Sequence, residues 1–149
     1  MTPRTAVRLT RPFTLLPPLL GIVSGAVCAF GSVHNPDPGH RLTWAVVSAV
    51  ALGSLCASFL NAASNVLNQI TDLEVDRVNK PDRPLVTGEA GLRETWGLTW
   101  VLYALAVVPV WFVVVPPREG LAARLLAPLG THQTFFLFLG GLVFPLVSS

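Results

Sequence analysis

Charge is scarce in this chain. Of its 149 residues, 12% are Asp, Glu, Lys or Arg, against roughly a quarter in ordinary soluble domains. Hydrophobic residues make up 52%. That balance excludes intrinsic disorder, which needs low hydrophobicity and high charge, and argues against a soluble enzyme. A basic surface is also missing. The net charge is +2, which argues against a nucleic-acid partner. Cysteine is nearly absent: Cys28 and Cys56 each sit inside an apolar run, with no CxxC and no Cys/His cluster. A zinc site or a disulfide framework therefore has no support. Aspartate stops at Asp82, after which the acids are Glu89, Glu94 and Glu119. What is present in quantity is long apolar sequence, which points to an integral membrane protein.

A spanning helix needs roughly 20 predominantly apolar residues. Phe13–Val33 and Leu42–Ile70 meet that length without a charge. Leu98–Val115 is a third candidate, with a helix start near Leu92, and Thr134–Val147 a shorter fourth. The expected fold is all-α: a polytopic transmembrane helical bundle with spans at about 13–33, 42–70, 92–115 and 134–147. Arg4, Arg8 and Arg11 precede the first run as in a signal peptide, but the run is longer than a signal core and further spans follow. Pro17 and Pro18 lie early in that run, so polar neighbours must satisfy the carbonyls they leave free. Gly21 and Gly25 give a small-xxx-small spacing that permits close helix contact.

Lysine and arginine collect on the cytoplasmic side of membrane proteins. Three arginines lie before the first span, one (Arg41) in the first connection, and Arg77, Lys80, Arg83 and Arg93 in the second, at about 72–94. The N-terminus and the second connection are therefore expected to face the cytoplasm, in the cell's inner or plasma membrane. Trp44, Trp96 and Trp100 lie near span ends; interfacial anchoring and packing inside a bundle explain them equally well.

The informative stretch is NAASNVLNQITDLEVDRVNKPDRPLVTG, residues 61–88. At about 100° per residue, a helix persisting through it places Asn61, Asn65, Asn68, Asp72 and Asp76 within one narrow arc. Ser54 and Ser58 extend the stripe inward, whereas Arg77 points away and Glu74 lies off the stripe. Polar groups at membrane depth face a bundle interior or a wet cavity. Asp72 and Asp76 are four residues apart, and like charges at that spacing repel. Lys80, Arg83 or a divalent cation would compensate. Magnesium is bound through one or two carboxylates together with substrate phosphates. A solvated helix end is the bland alternative for the two aspartates. Asp82 between Pro81 and Pro84 reads as a turn, and Gly88 as the bend before the next helix.

At these residues the chain resembles the UbiA-type intramembrane prenyltransferases. The match is Asn68-x-x-x-Asp72-x-x-x-Asp76, then Asn79-Lys80-Pro81-Asp82-Arg83-Pro84-Leu85 and Gly88, with Arg11-Pro12, Pro18 and Gly21 in the first span. Asn68-Gln69…Asp72…Asp76…Asn79-Lys80-Pro81 is especially similar to the homogentisate prenyltransferase and chlorophyll synthase side of the family; many other members carry Asp in place of Gln69. The resemblance implies a helical bundle around a cavity in which Mg2+ holds an isoprenyl diphosphate. Departure of pyrophosphate leaves an allylic cation for an aromatic or other lipophilic acceptor. It further implies Asp72, Asp76 and Asn68 as the catalytic and metal-binding set, with Asn65, Lys80, Arg83 and Arg11 around the diphosphate.

Family members have about nine spans and a second aspartate-rich motif. This chain offers three or four spans and no aspartate beyond Asp82. It is therefore expected to match the N-terminal part of a nine-helix bundle, truncated or complemented by a separate C-terminal half, and to lack turnover alone. Two other readings stand beside the enzyme: a non-catalytic membrane module that binds isoprenoid diphosphate or a partner subunit, and a small transporter. Transport sites lie near the bilayer midplane, whereas Asp72 and Asp76 follow a complete apolar run.

Overall fold

A computed structural model describes residues 1–35, 39 and 41–113, and the backbone alone at 111–113. Helix α1 spans Pro3–Thr10, α2 Leu16–Phe30, α3 Trp44–Thr71, α4 Leu73–Asn79 and α5 Leu92–Val113; a short 3-10 helix, Pro12–Leu15, joins α1 to α2. The described residues contain no strand, so the all-α expectation holds. The candidate span at 134–147 lies outside the described residues.

Local sequence explains where the helices begin. The Thr2 hydroxyl accepts from the Thr5 amide at 3.2 Å, and Pro3 occupies the first turn of α1. Thr43 caps α3 by accepting from the Val46 amide at 3.3 Å. These are N-cap hydroxyls meeting otherwise orphaned amides. Pro17 and Pro18 fall in the first turn of α2, where a missing N–H removes little. The carbonyl four residues before Pro18 belongs to Thr14, and it accepts instead from Asn61 Nδ2 at 2.7 Å. The polar neighbour that these prolines require is thus an asparagine of α3.

Helix α3 is the central element, packed against α5, α2 and α1. Its 28 residues extend for about 42 Å, more than the roughly 30 Å hydrocarbon core. Together with the 3-10 turn, α2 forms the apolar stretch Pro12–Phe30, and both it and α3 are long and apolar enough to cross a membrane. The 22 residues of α5 extend for about 33 Å. None of the side chains of α2 is buried. The core instead gathers Leu9 of α1, Ala62, Ala63 and Val66 of α3, Ala90, and Leu102 and Tyr103 of α5. Small side chains on α3 let its neighbours approach closely. Ser54 and Ser58 are buried and donate to their own helix, at 2.8 Å to the Val50 carbonyl and 2.9 Å to the Ser54 carbonyl. Such back-bonding satisfies hydroxyls within a helix.

Asn61→Leu is expected to lower thermal stability in detergent by about 1 kcal/mol, since it strands the Thr14 carbonyl. An unchanged melting temperature would show that the bond contributes nothing.

Candidate functional site

The acidic stretch does not continue as one helix. Helix α3 ends at Thr71, Asp72 stands at the junction with φ −87° and ψ 8°, and α4 starts at Leu73. The backbone bonds still bridge the junction: the Asp72 amide donates to the Asn68 carbonyl at 2.9 Å and the Asp76 amide to the Asp72 carbonyl at 2.8 Å. The wheel that places five polar residues on one unbroken arc therefore needs correction. Their surroundings differ as well.

Asn61, Asn65 and Gln69 turn toward the α1–α2 corner. Asn65 Nδ2 donates to the Thr10 carbonyl at 3.2 Å and to Thr14 Oγ1 at 2.7 Å. Gln69 Nε2 donates to the Leu9 carbonyl at 2.7 Å. Asn68 and Asp72 are exposed. Asp76 is 2% exposed. Its Oδ2 pairs with Arg83 Nη1, and its Oδ1 lies 3.7 Å from Lys80 Nζ. Asp76 is thus the anchor of the basic loop that follows α4. Glu74 pairs with Arg77 at 2.8 Å on the exposed face, which separates it from the stripe. Gly88 has φ +80°, a value that glycine adopts freely, so the bend expected there is present.

Arg83 is mostly covered. Burial lowers its pKa first, the nearby Arg11 charge lowers it further, and Asp72 works in the opposite direction. The two arginines and the aspartate therefore share one electrostatic environment. Arg11, Lys80 and Arg83, with Arg8, Phe13 and Gln69, line a cavity of about 420 Å³. Arg8 is already engaged by Glu89 at 2.7 Å and the Asp82 carbonyl at 3.1 Å. Arg11 reaches the cavity from an unusual backbone. It is the one non-glycine with positive φ among the described residues, at 53°.

The structure thus brings Arg11, Lys80 and Arg83 together, with Asp72 in electrostatic range and Asp76 beneath. Asn65 is spent on the α1–α2 corner. Arg8 and Gln69 also line the cavity, although the sequence reading gave neither a role at the site. Gln69 carried a signal nonetheless, being four residues after Asn65 and eight after Asn61, one turn and two turns along the same helix face. Among the described residues, no group of three or more His, Cys, Asp or Glu side chains could cage a metal. The exposed oxygens of Asn68 and Asp72 are hard donors that suit a magnesium ion completed by diphosphate oxygens.

Comparison with known proteins identifies the family. The model of the UbiA prenyltransferase family matches residues 15–137. A digeranylgeranylglyceryl phosphate synthase of Ignicoccus hospitalis is 32% identical over 126 residues, 85% of this chain and 36% of that protein. A 2-acylphloroglucinol 4-prenyltransferase of Humulus lupulus is 34% identical over 60% of this chain and 20% of its own length. The chain therefore spans about a third or less of these relatives. A solved structure concerning digeranylgeranylglyceryl phosphate synthase in membranes has the same fold over 91% of this chain and 42% of that one, with a TM-score of 0.62 at 23% identity. Matched along most of its length by the family model, the chain belongs to the UbiA prenyltransferase family.

Proposed function

We propose that this chain forms the first diphosphate-binding half of a membrane prenyltransferase that moves an isoprenyl group from its diphosphate to a lipophilic acceptor. The observation that carries this reading is the cavity lined by Arg11, Lys80 and Arg83, with Asp72 in electrostatic range of Arg83 and Asn68 exposed four residues before Asp72. Arg83 and Arg11 would hold diphosphate oxygens through charge-assisted hydrogen bonds, and Lys80, half exposed at 53%, would act as a mobile point charge. Asn68 and Asp72 would hold Mg2+, with Asp76 as the third member and second carboxylate of the set once substrate draws Arg83 or Lys80 away from it. When bound, magnesium neutralises charge developing on the leaving diphosphate.

The apolar helices would keep water from the prenyl chain and from the allylic centre. Residues 83–149 contain no aspartate, so a second acidic set would come from a complementing C-terminal segment. The relatives, by name, make digeranylgeranylglyceryl phosphate and prenylate a 2-acylphloroglucinol; the acceptor here is of that lipophilic or aromatic kind. Equilibrium binding of radiolabelled geranylgeranyl diphosphate to the protein in detergent tests the reading: binding requires magnesium and is lost on chelation. Magnesium-independent binding, or none, contradicts it.

The distribution of lysine and arginine supports a cytoplasmic N-terminus and basic loop. In a variant with Cys28 and Cys56 replaced by alanine, Arg4→Cys is expected to resist impermeant maleimide in intact cells and to react after permeabilisation. Labelling in intact cells would reverse the orientation.

A further inference from the structure

We propose that Gln69 is a positioning residue that holds the left-handed Arg11 corner over the cation-lined cavity; this rests on reading that cavity as the diphosphate site. Helix α1 ends at Thr10 and its cap, Arg11, lies at φ 53° and ψ 68°. Residues with a side chain rarely adopt that region, and such a conformation persists only where its surroundings hold it. Part of the hold is local: the Arg11 amide reaches the Arg8 carbonyl at 3.4 Å, a long bond, and the Arg11 carbonyl accepts from the Thr14 amide at 2.9 Å and from Thr14 Oγ1 at 2.8 Å. The last carbonyls of a helix have no partner within it.

The rest of the hold comes from α3. Gln69 Nε2 reaches the Leu9 carbonyl at 2.7 Å and Asn65 Nδ2 the Thr10 carbonyl at 3.2 Å, so the two residues immediately before Arg11 are both tied to α3. Gln69 is 3% exposed, and Leu9 is fully buried. The second proton of the Gln69 amide goes to the Asn65 carbonyl at 3.2 Å. With both donors used, the amide has one defined orientation. Gln69 also lines the cavity beside Arg11 and Arg83. It stands one residue after Asn68 and three before Asp72. A single turn of α3 would therefore register the cation of the α1 corner against the oxygen donors of the acidic stretch.

Two readouts on the whole chain in detergent test this. In Gln69→Met, which keeps the length and loses the donors, hydrogen exchange across residues 9–16 is expected to accelerate while α5 is unchanged. Affinity for pyrophosphate with magnesium is expected to fall about tenfold, the scale of one lost charged contact. Arg11→Gly, which suits the left-handed backbone and removes the charge, is expected to lose the same amount. The double variant should bind no worse than Arg11→Gly alone, because the two losses are one. If Gln69→Met does not fold, Gln69→Glu has the same shape with acceptors in place of donors, and its exchange across 9–16 decides the matter.

Unchanged exchange in the folded variant overturns the proposal, and so do additive losses in the double variant. Failure of the wild-type chain to bind magnesium pyrophosphate overturns the diphosphate reading instead. Accelerated exchange across 9–16 would then still show that Gln69 holds the corner.

Discussion

Asp76→Ala is expected to destabilise the protein by about 3–5 kcal/mol, the scale for removing one partner of a buried ion pair. The carboxylate is 3% exposed and the Arg83 side chain 14%, so the substitution leaves a largely buried guanidinium without its anion. Lys80, at 3.7 Å, would lose its partner too, but its exposure makes that loss small. The double variant Asp76→Leu with Arg83→Met replaces the pair by apolar groups of similar size. It should recover most of the stability, since such exchanges are often neutral. It should not recover diphosphate binding, because Arg83 is one of the four cations lining the cavity. Chemical or thermal unfolding in detergent, beside a pyrophosphate binding isotherm, separates the two effects. A stable Asp76→Ala variant would mean that the carboxylate does not anchor Arg83.

Much of the fold was legible because bilayer depth dictates apolar length. Runs near 13–33, 42–70 and 92–115 were expected, and α2, α3 and α5 occupy Leu16–Phe30, Trp44–Thr71 and Leu92–Val113. Helix α1 was not read, since Pro3–Thr10 carries two arginines and too little apolar sequence to stand out. It is held by contacts distant in sequence, such as Gln69 to Leu9 and Arg8 to Glu89. Within the stripe, a helical wheel ranks directions but does not say what each direction meets. Asn65 faces the α1–α2 corner, Asn68 the open side. Nor does a wheel foresee a break at Asp72, after which a new helix carries the buried Asp76. Glu74 was separable by angle alone, and its pairing with Arg77 at 2.8 Å agrees.

The second large effect concerns Asp72. Asp72→Asn keeps the shape and removes one charge from the exposed helix end that also carries Asn68. A hydrogen bond or metal contact to a charged group contributes about 1.5–3 kcal/mol, so affinity for magnesium-dependent diphosphate should fall about tenfold to a hundredfold. Glu74→Gln removes the same charge two residues away, on the face where Glu74 meets Arg77. At such exposed positions the loss is within about 1 kcal/mol, and screening reduces it further. Stability should change little in either variant, since neither side chain is buried.

The most direct test is therefore a pair of isotherms for geranylgeranyl diphosphate in magnesium, Asp72→Asn against Glu74→Gln, each repeated with chelator. Loss of affinity in Asp72→Asn, retention in Glu74→Gln, and no binding for either without magnesium is the predicted result. Equal losses in the two variants, or isotherms indifferent to magnesium, would contradict the assignment of this acidic helix end as a metal–diphosphate site.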